Sequence, residues 1–192
     1  MKFTRDESIE FFKEHNKDDM HFRHALAVEA AMKYFARHYG EDEELWGRVG
    51  LLHDIDWEIT KSVEAGHPVK GGEMLREAGY DEEFVRAVLA HGWDFSGVEP
   101  ITKMEKTLFT ADELTGFVTA VALVRPSKSL MDLEVKSVRK KWKDKAFAKG
   151  VDRTVIERGG KLMGESLDWL IEGVISALRP IEKELGLGSA SV

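Results

Sequence analysis

The feature that most constrains this chain is a set of ionisable residues at positions where a helix should face its core. The clearest case is "GLLHDIDWE", residues 50–58, in which Leu51-Leu52 runs straight into His53-Asp54. Apolar residues around it recur at helical spacing. His24, Val28, Ala31 and Phe35 fall at i, i+4, i+7 and i+11, one face of a helix from Met20 to His38 that Gly40 ends. Ile9, Phe11 and Phe12 mark a shorter helix before it. Asp42 suits the cap of a helix over roughly 43–53, built on Leu45, Val49 and Leu52. Residues 55–66 read as a loop, and Pro68 suits the first turn of a helix running to about Ala78. Asp81 caps another, in which Phe84, Val88 and His91 share a face.

After breaks at Gly92, Gly97 and Pro100, a long helix spans about Lys103 to Val124, and Pro126 stops it. A further helix covers about 134–149 and a last one about Lys161 to Leu178, followed by a frayed tail, GLGSASV. No strand alternation, internal repeat or interdomain linker interrupts this pattern. The expectation is an all-α, single-domain helical bundle over 1–192, with a metal-binding core of about 20–125 and helices of about 126–186 packing on it.

Composition narrows the chemistry. With 192 residues, 43% hydrophobic and 33% charged, the chain can bury a substantial core. It has no cysteine, which excludes disulfides, thiolate metal sites and Cys nucleophiles, so any metal must be held by nitrogen and oxygen. A net charge of −7 argues against nucleic acid as a partner. No apolar run approaches the ~18 residues of a membrane span, and the N-terminal residues carry no signal-peptide core, so the expected location is the cytoplasm with no membrane contact. The absence of glutamine, a lone Asn16 and abundant Lys and Glu lean toward a heat-adapted source.

Six ionisable residues on or beside five helices point toward one interior. His24 and His91 lie on apolar faces, and Asp112 shares a stripe with Leu108, Thr115 and Thr119. His53 and Asp54 end an apolar helix, and His67 stands at the N-cap of the next. Burying these groups unpaired is costly, and a shared metal centre removes that cost, because imidazole and carboxylate are its ligands. Local alternatives stay open. His21, one turn before His24, is a rival ligand; His67 suits a plain N-cap; His91 suits substrate binding; Asp56 and Asp94 are rivals for carboxylate roles. The charged stretch "KSVRKKWKDKAFAKG", residues 136–150, reads as a solvated helix face or as an electrostatic funnel for an anion. Trp169 and Leu170 suit core packing or the face of a homodimer.

The ordered set His24, His53-Asp54, His67, His91, Asp112 resembles the HD superfamily of metal-dependent hydrolases. The resemblance is carried by "RHALAVEAAM", "GLLHDID", "AGHPVKGGEML", "VLAHGWD" and "LFTADELTGF" and covers about residues 20–125. The remainder, including "ALVRPSK" and "KDKAFAKGVDR", looks like a small single-domain branch of predicted hydrolases. The resemblance implies that His24, His53, Asp54 and Asp112 hold one metal. In dinuclear members, His67 and His91 match the holders of a second, with Asp54 bridging. One or two divalent ions (Fe, Mn, Mg or Zn) are the implied cofactors.

The implied activity is phosphohydrolysis of a small anionic phosphorylated metabolite or nucleotide, with hydroxide generated on the metal attacking phosphorus and Asp54 at the centre of the machinery. Arg125 and Lys128 in "VRPSK" and Lys70, one turn after His67, are the cations expected at the mouth, and Gly116 is expected to leave room for a ligand. The GYP triplet of cyclic-dinucleotide phosphodiesterases is missing from "HGWDFSGVEP", which argues against that substrate. Two other readings are carried: a di-iron oxygenase of the same superfamily, whose ligand set is similar, and a non-catalytic, metal-containing binding protein.

Overall fold

A computed structural model of the chain describes residues 3–61 and 66–188. Among these residues there are helices and turns and no strand. Eleven helices follow in order: α1 Arg5–His15, α2 Asp19–Tyr39, α3 Glu43–Leu52, α4 Trp57–Thr60, α5 Val69–Ala78, α6 Glu82–His91, α7 Trp93–Ser96, α8 Lys103–Leu123, α9 Val135–Trp142, α10 Arg153–Met163 and α11 Leu167–Leu178. A 3-10 turn, Arg179–Ile181, follows the last.

The helix starts are chemically specified. Thr4–Glu7 and Thr102–Glu105 form reciprocal capping boxes at α1 and α8, satisfying two orphan amides at each start. Asp18, Asp42, Asp81, Asp152 and Ser166 each accept a first-turn amide at α2, α3, α6, α10 and α11. The two long helices, α2 and α8, pack on each other and organise the rest. Helix α3 lies along α2, α6 and α10 lie along α8, and α11 closes the bundle against both. Phe12, Phe35, Phe117, Leu51, Leu108 and Leu114 are fully enclosed in the resulting core. Trp169 packs on Phe35 (ring centroids 5.3 Å apart), and Leu170 is buried in the same core.

Helices α2 and α3 touch backbone to backbone at one glycine. A Cβ on Gly50 would lie 2.9 Å from both the Val28 carbonyl oxygen and Met32 Cγ. The bare glycine lets α3 press onto α2, and this brings the C-terminal end of α3 against the first half of α2.

Three boundaries differ from the sequence expectation. The loop expected at 55–66 contains the single turn α4; its residues 62–65 lie outside the described residues, as do residues 189–192 of the tail. The helix expected over 134–149 ends at Trp142, because Asp144 Oδ1 accepts the Ala146 amide (3.0 Å) and the chain turns there instead. The single helix expected from Lys161 to Leu178 is two helices, α10 and α11. Gly164 takes the left-handed conformation (φ 75°) as the C-cap of α10, and Ser166 starts α11.

Gly50→Val is expected to lower stability by about 1–3 kcal/mol through overpacking against Val28 and Met32. Urea unfolding would show this as a lower midpoint at unchanged slope.

Candidate metal centre

The polar residues of the apolar faces converge at the middle of the bundle. Helix α2 carries His24. His53 caps the C-terminal end of α3, and the chain then turns tightly, with the Ile55 amide donating to the Leu52 carbonyl (3.2 Å) and the Trp57 amide to the Asp54 carbonyl (3.0 Å). This turn directs His53, Asp54 and Asp56 inward together, all three buried. His67 stands just before Pro68, the N-cap of α5; His91 is the last residue of α6; Asp112 is mid-way along α8.

These side chains form two triads, His24–His53–Asp112 and Asp54–His67–His91, each with ligand atoms within 4.8 Å of one another. His24 Nε2 and His53 Nε2 lie 3.0 and 3.3 Å from Asp112 Oδ1. Asp54 faces both sets: its Oδ2 is 3.3 Å from His53 Nε2, and its Oδ1 is 3.4 Å from both His67 Nε2 and His91 Nε2. All six residues expected from the sequence are therefore brought to one place.

The donor set fits divalent metal. His53 Nδ1–H donates to the Gly50 carbonyl (2.7 Å), and His91 Nδ1–H donates to the Val88 carbonyl. His67 Nδ1–H donates to Asp56 Oδ1 (2.8 Å), whose second oxygen accepts the Gly71 amide (2.9 Å). Such contacts fix the tautomer and leave each Nε2 lone pair directed at the centre. His53 Nε2 is fully enclosed with no hydrogen-bond partner, and His67 Nε2 and His91 Nε2 stand 3.1 Å apart. Two lone pairs that close repel unless a cation or proton lies between them. Imidazole-rich donors with carboxylate and no thiolate suit Fe, Zn or Mn better than Mg, which prefers oxygen, and two clusters of His and Asp are positioned for one or two divalent ions.

Electrostatics point the same way. Burial opposes ionisation of Asp54, but His53, His21 and His91 around it hold its pKa well below the ordinary carboxylate range. Burial likewise opposes ionisation of Asp112, and His53 and His24 hold it low. Burial also works against charge on His53, yet Asp54 and Asp112 raise its pKa well above the ordinary value. The centre holds its carboxylates as anions and draws positive charge to itself.

A cavity of about 520 Å³ opens onto these residues. That is the size of a small-molecule pocket, which typically spans about 300–1,000 Å³. Trp57, Trp93, Phe95 and Phe109 contribute aromatic walls; Gly150, Val151 and Val155 close another side. Gly116 also lines it, and a Cβ there would meet only Val151 Cγ2, at 3.8 Å. Glu113, next to Asp112, lines it too, its pKa pushed up to about 8 by burial and by the Asp112 charge.

Lys70, Arg125 and Lys128 are not among the residues lining this cavity. Lys70 is exposed and paired with Glu73 (2.9 Å), while its neighbour Gly71 faces Asp56. Arg125 bonds Asp132 (2.7 Å) and holds the turn after α8. Lys128 is exposed, and its carbonyl accepts the Gly188 amide (2.8 Å). Thirteen residues of near-helical rise separate Arg125 from Asp112, about 20 Å along the axis. A different arginine, not itself among the lining residues, packs on two that are. Arg158 pairs with Asp94 (2.7 Å), and its guanidinium lies 4.6 Å over Trp93. Its helix, α10, begins before the residues that read as helical in sequence, so no periodicity points to it.

The family model described as "HD domain" matches residues 21–116, half of the chain. The chain belongs to the HD domain family. The ordered histidines and aspartates of the two triads lie within the matched residues and are consistent with a metal-dependent hydrolase. Among curated proteins, the chain is similar to Ribonuclease Y of Oleidesulfovibrio alaskensis, 31% identical over 49% of this chain and 18% of that protein. It is also similar to Ribonuclease Y of Thermotoga petrophila, 29% identical over 65% of this chain and 25% of that protein. A third is Ribonuclease Y of Thermosipho melanesiensis, 32% identical over 58% of this chain and 20% of that protein. The chain thus spans a quarter or less of these relatives' length. No solved structure matches.

These relatives overturn the expectation that net charge argues against nucleic acid. Proteins named as ribonucleases recur across several lineages. The total of −7 also averages over the chain and hides seven cations against one anion within residues 136–149. No helix among the described residues is long and apolar enough to cross a membrane.

Asp56→Asn weakens the acceptor that orients His67. It is expected to lower metal affinity at the His67–His91 triad by about 10–100-fold and to spare the other triad. Stepwise metal titration of the variant against the parent measures both.

Proposed function

We propose that this chain hydrolyses a phosphoester bond of a nucleotide, free or at the end of an RNA strand, in a centre that holds two divalent metal ions. The observation that carries this reading is Asp54. One carboxylate faces both imidazole sets at the floor of an aromatic-walled cavity. Similarity to proteins named Ribonuclease Y supports a nucleotide phosphoester as the bond that is cleaved.

When bound, such ions lower the pKa of water toward neutrality and offset charge on a phosphoryl group. Phosphoryl transfer otherwise needs positioning and charge compensation more than covalent chemistry. Asp54 and Asp112, kept ionised, serve as ligands without a proton to lose first. His24, His53, His67 and His91 complete the two sets. Trp57 and Phe95, the exposed rings of the lining, offer flat faces on which a base can stack, while Arg158 covers a face of Trp93 and Phe109 is buried. Arg158, held over Trp93 by Asp94, takes the charge compensation beside the cavity that the sequence pattern assigns to Lys70, Arg125 and Lys128.

The test is turnover of nucleotides, dinucleotides and short single-stranded RNA by chain loaded separately with Mn, Fe, Zn or Mg. Release of a nucleotide or of phosphate is expected with at least one metal. Asp54→Asn is expected to lower kcat by more than about a hundredfold with the helical content unchanged. No turnover of any phosphoester with any of the four metals sinks the reading. Phe95→Ala is expected to raise KM for nucleotide substrates by about tenfold, matching the ~1–3 kcal/mol of one stacked base, and to leave a methyl phosphoester unaffected.

A further inference from the structure

One buried imidazole of the cavity is neither a triad member nor part of the aromatic wall. His21 lies one turn before His24 on α2 and lines the cavity. Its side chain is only 8% exposed. It belongs to neither triad, and both its ring nitrogens are enclosed without a hydrogen-bond partner. The nearest carboxylate oxygen, Asp54 Oδ2, is 3.5 Å from Nε2, longer than the roughly 2.7–3.2 Å of an N–H···O bond. The Phe12 ring packs against the imidazole (centroids 5.3 Å apart) and supports it from the core side.

A neutral or protonated imidazole carries at least one N–H, so burying it without an acceptor is costly. For packing alone, a leucine would serve this position better. His53, His67 and His91 differ, because each has Nδ1 bonded to a protein oxygen.

The charge of the cavity lining gives such a donor a use. The lining contains Asp18, Asp54, Asp94 and Asp112, and among the described residues no lysine or arginine. An anionic substrate entering it needs donors beyond the metal ligands. Outside the triads, and apart from the two indoles and the Glu113 carboxyl, His21 is the side-chain donor that the lining supplies.

We propose that His21 is a substrate-binding residue, donating a hydrogen bond from its imidazole to an oxygen of the phosphoryl group that the cavity admits. The proposal rests on the phosphoester reading for the nature of the substrate. It places a donor beside Asp54 Oδ2, where a carboxylate would otherwise meet the phosphoryl oxygens unscreened.

The experiment is calorimetric binding of inorganic phosphate to the manganese-loaded chain, comparing the parent with His21→Leu and His21→Gln. His21→Leu is expected to keep the manganese stoichiometry of the parent and to lose about tenfold in phosphate affinity. His21→Gln, which keeps an N–H, is expected to recover most of that loss and guards against a His21→Leu that fails to fold. Unchanged phosphate affinity in His21→Leu overturns the proposal, leaving His21 as packing. Loss of manganese in His21→Leu overturns it too, because His21 is then a metal ligand. A parent that binds no phosphate likewise overturns it. The functional reading fails separately: a parent that binds phosphate but cleaves no phosphoester sinks that reading, while the affinity ratio still decides the role of His21.

Discussion

The buried carboxylate of Asp54 is the constraint around which this molecule is arranged. An ionised group in a helical core is strongly disfavoured unless positive charge or donors surround it. Here imidazoles from the C-terminal end of α3, from α6 and from the segment before α5 lie within 3.4 Å of its two oxygens, and the metal they would hold together with it would supply that positive charge. Meeting that requirement dictates much of the packing. Helix α3 must approach α2 closely enough for its C-terminal end to reach the histidines, and Gly50 permits it. The turn after His53 must point two acids inward, and Asp56 must then be satisfied by His67 and the Gly71 amide.

Much of this is legible in the sequence, for a physical reason. A histidine or aspartate on an apolar helical face betrays an interior partner, and six such residues in register mark the centre without a single distance. The N-caps are legible too, because Asp42 and Asp81 do at their helices what isolated aspartates do at any helix start. What escapes is decided by tertiary contact. Helix α10 carries Gly159-Gly160, a pair that weakens a helix in isolation. Here Gly159 lets α10 lie against Thr110 of α8, so packing rather than propensity holds it. The cations fare worst, because nearness in sequence is a poor guide to nearness in space along a straight helix. Arg125 follows Asp112 closely in the chain and still bonds Asp132 instead of lining the cavity.

Whole-chain charge misleads in a similar way. The formal −7 is a sum, whereas a substrate meets a local field. Within the cavity, acids concentrate at the floor, where a metal site needs them. Arginine is held against lining residues, and a dense run of lysines lies in the segment leading to Gly150. A chain can be acidic overall and still present donors where an anion enters.

The cavity is walled on one side by Gly150, Val151 and Val155, with Arg158 one turn further along α10. These residues lie beyond the span that matches the HD domain, which ends at residue 116. The reactive floor with its aromatic walls and this one remaining side are therefore encoded in separate, consecutive stretches of the gene. Mutations in the second stretch can reshape what enters while leaving the ligands of the first untouched. Such an arrangement lets selection explore new substrates without re-inventing the centre that acts on them.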